Sequence, residues 1–310
     1  MARPPPPPKD GRSKVGDSPH LLRHWTLGEP EHGKVEASRP DFDAGETARW
    51  IKTPEPGWVV GKGLNGSPYA EDFRPGSGGW RGIDPEGKDK AQLYKLMISA
   101  IAPRPIAFMS TLSPDGTPNL APMSYFNMVS HNPPTIMVSI QSDSKSPEGL
   151  KDTSRNVLST RQFCCSIISE TFVEAANYTS IDAPPDISEW DLSGLTPRQS
   201  EIVKPPHVAE SAFSMECELS HAHELRRDDG VLSNTVVFGR VKRIHAKEFL
   251  FDPEDPMKVV LERLRPVTRL GGLGYGRVTE MFDLPRPVWD KVKDAPEVRA
   301  LLNKRGGEFE

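Results

Sequence analysis

Residues 119–127 read NLAPMSYFN, and the reading of this stretch decides the fold. Its small, apolar, hydroxyl and aromatic residues neither alternate cleanly, as on a half-buried strand, nor recur at the 3.6-residue spacing of a helix. The flanks settle the matter. Just upstream lies SPDGTP, whose Pro-Asp-Gly is a tight-turn signature between two extended runs. YKLMISAIAPRPIAFMSTL, from Tyr94 to Leu112, therefore reads as β-like, broken by Pro103 and Pro105, and NLAPMSYFNMVS as the return strand of a hairpin.

Further along, HNPP makes the next turn and TIMVSIQS the next strand. SPEGLKDTSRNVLSTRQ carries helix-start chemistry and few β-branched residues, which predicts a short helix near 148–160. QFCCSIIS reads as a buried strand and ETFVEAANY as a second helix. A Pro- and Asp-rich excursion fills 179–210, AFSMECELSHAHEL and TVVFGRVKRIHAKEFLF are two later strands, and DPMKVVLERLRPV is a third helix. Strands dominate and helices are inserted singly, so the fold class is mainly β. A small antiparallel barrel with a few peripheral helices across its openings fits this order better than a doubly wound α/β sheet.

Composition sets the limits of that domain. With 310 residues, 36% hydrophobic content and 32 prolines, much of the chain stays outside any core. One domain of about 200 residues with appendages is expected. Residues 1–40, rich in proline and charge, read as a disordered tail, whose PPPPP run is a solvated spacer or a ligand for an aromatic groove. Residues 41–88, with Trp50, Trp58 and Trp80 among Pro and Gly, read as an irregular extension packing on the core. The domain itself runs from 89 to 285, and 286–310 is a charged C-terminal tail.

A net charge of −4 and a pI near 6.1 argue against nucleic acid as the main partner. Three cysteines, necessarily an odd set, do not make a secreted disulfide framework. The first residues lack a signal-peptide core, and no later run approaches the roughly 18 apolar residues of a membrane span. A cytoplasmic protein with no membrane partner is expected.

The chemistry-bearing motifs are individually weak. No phosphate loop of the Gly-x-x-x-x-Gly-Lys type is present, and GGLGYG at 271–276 is not placed for a dinucleotide fold. KDTSRN at 151–156 puts cations, hydroxyls and free backbone N–H groups at a helix start. That set suits a phosphate monoester, and equally suits ordinary capping by Asp152 or Thr153. Adjacent Cys164 and Cys165 point to opposite faces of a strand and read as core. His221 and His223 share a strand face but lack a third metal ligand.

Taken together and in order, the stretch from Tyr94 to Ile140, then KDTSRNVLSTRQFCCSIISE, then RLGGLGYGRV resemble the flavin reductase-like FMN-binding family, over residues 90–280. RPDFD and KTPEPGW upstream resemble the leader of fungal members. The resemblance implies an FMN-binding split β-barrel, antiparallel and Greek-key-like. It places Asn119, Ala121, Pro122, Met123, Ser124 and Tyr125 along the flavin, with Met123 where many members carry an aromatic or other bulky residue. Lys151, Asp152 and Thr153 match the segment near the phosphate, Thr153 as a donor and Asp152 as a structural residue. Arg104, Ser110 and Thr111 are implied ribityl or phosphate contacts, and Gly272 and Tyr275 match a later glycine-tyrosine segment.

The implied chemistry is hydride transfer from NADH or NADPH to flavin N5, with FMN as the cofactor and FAD as its alternative. No catalytic side chain and no metal are then needed. A homodimer with flavin near the subunit interface and an unidentified electron acceptor complete the picture. Two other readings stand beside it: a flavin-binding electron carrier or partner subunit without nicotinamide activity, and a split barrel that has lost flavin and serves as an interaction module.

Overall fold

The computed structural model describes residues 30–184 and 187–305. Most of the expected N-terminal tail lies outside the described residues, and within its last part Pro30–Ala37 is helical. The chain divides into two compact units, one spanning Tyr94–Val278 and the other holding the described residues before Tyr94 and from Thr279 on.

The second of these is built on turns. Arg49–Trp50 pairs in parallel with Glu280–Met281, reinforced by an ion pair from Arg49 to Glu280 at 2.5 Å. Glu55 binds the Gly66 N–H and the Lys62 ammonium, and the Trp58 indole donates to the Gly63 carbonyl at 2.9 Å. None of residues 41–88 is buried, so this unit builds no hydrophobic core there. Trp289–Val292 and Pro296–Arg305, in the segment read as a charged tail, are helical.

The first unit opens within helix α1 (Lys90–Ala100), where the sequence reading expected extended chain from Tyr94. Asp89 accepts the N–H groups of Ala91 and Gln92, and KAQLYKLMISA is rich in helix formers, so a helix starts and propagates. Extended structure begins only past Pro105, with β1 (Ala107–Leu112).

β2 (Pro118–Met123) and β3 (Phe126–His131) divide what the sequence suggested was one return strand. They are followed by β4 (Pro134–Gln141), helix α2 (Asp152–Thr160) and β5 (Gln162–Ile167). After α3 (Val173–Tyr178) and α4 (Glu189–Ser193) come the long β6 (Phe213–Arg226) and β7 (Leu232–Ala246). The expected third helix shrinks to Leu261–Leu264, because β-branched Val259 bridges to Phe251 instead.

These strands form one seven-stranded sheet in the order β2-β1-β5-β6-β7-β4-β3, antiparallel throughout. The two end strands, β2 and β3, are consecutive in the chain, separated only by Ser124 and Tyr125. In a flat sheet six strand spacings would hold them about 29 Å apart, whereas a two-residue link reaches about 11 Å. The sheet must therefore curl until its ends meet at a seam, beside which Ser139 N–H of β4 donates to Tyr125 O at 2.8 Å and carries the β3–β4 pairing up to the corner. Register shifts in the β6–β7 and β3–β4 ladders supply local bends.

Period-two alternation then sorts the side chains. Ala107, Met109, Val138, Phe163, Cys165 and Val237 fill the barrel interior, which Val157 of α2 closes. Ile106, Phe108 and Leu120 face outward and are covered by Phe172, Ala176, Trp190, Leu195 and Val208. The excursion at 179–210 is thus a layer over the outer face of the sheet.

Candidate functional site

β2 is an edge strand in hydrogen bonding, and its prolines obey that position. Leu120 N–H points away from β1 and donates to Glu189 Oε2 at 3.3 Å. N–H direction alternates along a strand, so Pro118 and Pro122, two residues either side of Leu120, lack N–H groups only where β1 would not have received them. The opening irregularity of NLAPMSYFN therefore has two structural causes: an edge that withholds donors, and a corner at Ser124–Tyr125 where the sheet seam turns.

On the opposite phase, Asn119, Ala121 and Met123 stand across from Thr111, Met109 and Ala107 of β1. Asn119 is the centre of a buried polar cluster. Its Nδ2 donates to Thr153 Oγ1 at 3.0 Å and lies 3.4 Å from Thr111 Oγ1, which also accepts from Asn156 Nδ2 at 3.1 Å. Three residues singled out from the sequence thus meet, tying the strand to the first turn of α2. Asn156 was missed by the sequence reading. Its signal was spacing, since it follows Thr153 by three residues and shares its helix face.

The start of α2 has the features of an anion site. Lys151 occupies the N-cap position in extended conformation and makes no side-chain cap, so the first-turn N–H groups lack an intrahelical partner. Asp152 is held by Arg155 at 2.5 Å, and Arg155 also bonds Ser146 Oγ at 3.0 Å and Leu150 O at 3.2 Å. The carboxylate nearest the helix start is thereby neutralised and turned to structural use. Glu189 approaches from α4; burial raises its pKa, with Asp152 adding to the effect.

Other expected contacts fall elsewhere. Ser110 and Thr111 lie on opposite faces of β1, and Ser110 Oγ is buried among the outward-facing residues without a partner. The Arg104 guanidinium is committed to backbone, donating to Ile98 O at 2.7 Å, Ile101 O at 2.5 Å and Leu270 O at 3.0 Å. Gly272, with φ of +58°, turns the hairpin of Val267–Arg269 and Tyr275–Arg277. Tyr275 donates to Asn177 Oδ1 at 2.8 Å, and its ring lies 4.6 Å from the Arg269 guanidinium carbon. Burial raises the Tyr125 phenol pKa, Tyr94 adds to the rise, and Arg104 opposes it.

The flavin reductase like domain model matches residues 99–258, more than half of the chain and nearly all of the barrel. The chain belongs to the flavin reductase-like family. Nitrilotriacetate monooxygenase component B from Bacillus cereus is 37% identical with a TM-score of 0.63, covering 67% of this chain and 100% of its own. The 2-nitrobenzoate 2-nitroreductase of Pseudomonas fluorescens is 27% identical with a TM-score of 0.58, over 67% of this chain and 98% of its own. A putative flavin reductase with a split barrel domain from Shewanella frigidimarina, 19% identical, aligns at a TM-score of 0.55 over 65% of this chain and 95% of its own. These likenesses establish the split-barrel fold and a flavin-related oxidoreductase family, and the matched span coincides with the sheet and not with the N-terminal extension.

Proposed function

We propose that this chain binds FMN along β2 and the start of α2 and reduces it with NADH or NADPH. The observation that carries this reading is the cluster of Thr111, Asn119, Thr153 and Asn156, which fixes an uncapped helix start beside an edge strand poor in donors. The residues fit a flavin mononucleotide. First-turn N–H groups and the Lys151 ammonium match a phosphate, and Ala121, Pro122 and Ser124 keep the strand slim enough for a flat ring system to lie against it. When bound, the flavin supplies hydride-accepting chemistry at N5.

The protein's own residues bind and orient. Lys151 and the α2 amides would hold the phosphate, Asn119 keeps Thr153 in place, and Tyr125 would lie beside the ring system. With a cofactor that carries the reaction, no acid, base or nucleophile is required of the chain. The kinship with a monooxygenase component supports onward passage of electrons to a separate acceptor. A homodimer and a cytoplasmic setting belong to the same proposal; among the described residues no helix is long and apolar enough to cross a membrane, and all three cysteines are free and buried.

The deciding experiment is an absorbance spectrum from 300 to 550 nm, followed by titration with FMN and addition of NADH or NADPH. Flavin bands that bleach with the nicotinamide are expected. Bands that persist would make the protein a carrier without nicotinamide activity, and failure to bind either FMN or FAD would overturn the flavin reading.

A further inference from the structure

The turn after the first strand of a small ladder, Pro197–Arg198 with His207–Val208, lies over the outer face of β5, β6 and β7. Its anchor is Glu216 of β6, a fully buried carboxylate. Glu216 accepts the backbone N–H groups of Glu201 at 2.8 Å, Ile202 at 2.6 Å and Val203 at 2.8 Å. Its fourth donor is His245 Nε2 of β7, at 2.5 Å. A carboxylate that has four donors can be buried as a charge, and here it draws three successive amides of the turn onto the sheet.

His207 lies against this anchor but does not join it. Its ring stacks on His245 with centroids 4.4 Å apart and 9° between planes, and both of its nitrogens are buried without a partner. The charged and titratable groups around it come from every neighbouring element. Arg198 stands opposite on the ladder, His245 and Arg243 come from β7, Glu216 from β6, and Cys164 from β5. Arg243 is paired with Glu201 on the turn itself. The only buried carboxylate in the group is already shared among four donors, so a proton on His207 would create a buried cation facing His245 and Arg198, offset only in part by the charge of Glu216 and the Val208 backbone.

We propose that residues 197–208 form a proton-released latch, closed over the outer face of the barrel while His207 is neutral and opened when that imidazole takes a proton. The latch is independent of the flavin reading. Opening uncovers Cys164, whose thiol donates to Pro205 O at 3.1 Å and lies 3.2 Å from Ser200 Oγ. Cys165 and Cys217 belong to the barrel interior and stay covered.

The direction with pH follows from the two groups. Burial lowers the His207 pKa, His245 and Arg198 add to the effect, and Glu216 and the Val208 backbone oppose it without reversing it, whereas in the released turn His207 titrates near its ordinary value of about 6.5. The closed form therefore has its full advantage above about pH 6.5 and loses it as the pH falls below, up to about tenfold per unit, until the docked imidazole itself titrates. For Glu216, burial acts to raise the pKa, but His245 and the three amides outweigh it and hold it at about 2. It stays ionised from pH 5 to 8 and cannot produce a change in that range.

The test is hydrogen exchange of the full-length protein at pH 7.5 and 5.5, corrected for intrinsic rates, with His207→Phe beside the wild type. Phe keeps the stacked ring and removes the proton site. In the wild type the 201–203 amides should open about tenfold more readily at pH 5.5, with the β5 amides unchanged, while His207→Phe should be flat. Labelling with 4,4′-dithiodipyridine at pH 5.5 should modify Cys164 faster in the wild type than in the variant, and should spare Cys165 and Cys217. A flat wild-type profile, an equal rise in the variant, or parallel opening of β5 would each overturn the latch. Should His207→Phe fail to fold, the wild-type profile decides it alone: opening confined to the turn together with selective labelling of Cys164 supports the latch, and any other pattern overturns it.

Discussion

At the scale of single residues, the candidate site rests on a few groups whose alternatives are closed off. Thr153 is buried and receives the Asn119 amide, which leaves its own hydroxyl proton free to donate, while Lys151 is exposed at the helix start. Replacing both, as Lys151→Ala with Thr153→Ala, should weaken FMN binding by roughly 2 to 4 kcal/mol, since each contact to a phosphate is charge-assisted. Titration calorimetry would show this as a Kd raised by about 30-fold to nearly 1,000-fold, with the thermal midpoint little changed because Asn119 keeps Thr111 as a partner. An unaltered Kd would remove the helix start from the site. Legibility at this scale was uneven. KDT announced itself as a helix start with donor chemistry, but Asn156 and Glu189 act through positions set by packing, and neither residue type nor spacing marks Glu189 as the acceptor for an edge-strand amide.

Among secondary-structure elements, Arg104 shows how a residue expected at a ligand can instead hold the frame. It joins the end of α1 to the hairpin of Val267–Arg269 and Tyr275–Arg277, through its three side-chain bonds and through paired backbone bonds with Arg269 at 3.0 and 2.9 Å. Arg104→Met should cost roughly 3 kcal/mol, lowering Tm by roughly 6 to 12 °C for a domain of this size. Hydrogen exchange should quicken in the last turn of α1 and in that hairpin, before the sheet is affected. A variant with full stability and impaired FMN binding would return Arg104 to the ligand. The same scale explains the misreading of residues 94–105. Local composition there is mixed, and helix wins because Asp89 caps its start and the Arg104 guanidinium satisfies carbonyls at its end.

Across the chain, both hydrophobic clusters lie between Ile106 and Val267, and among the described residues every buried hydrophobic side chain falls between Ile98 and Val267. The folding free energy of burial is therefore concentrated in the barrel unit. A protein cut to residues 89–285, which keeps Asp89 at the start of α1, should fold cooperatively with a Tm within roughly 4 °C of the full chain, about 1 kcal/mol. Calorimetry of the two proteins checks this, and a truncated chain without a cooperative transition would make the flanking segments part of the folding unit.

The sequence by itself determined the strand-rich class, the turns at SPDGTP and HNPP, the helix at KDTSRN, the buried strand at QFCCSIIS and the span of the family resemblance. Each of these is written in residues adjacent along the chain, where turn chemistry and periodicity act locally. Tertiary structure alone decided that NLAPMSYFNMVS is cut at Ser124–Tyr125 into the two ends of one curled sheet, that Thr111 and not Ser110 takes the face of β1 that carries Asn119, and that the excursion is fastened through Glu216, His245 and His207. These outcomes depend on which strands become neighbours, and that follows from closing a barrel, a condition on the whole sheet that no short window of sequence contains.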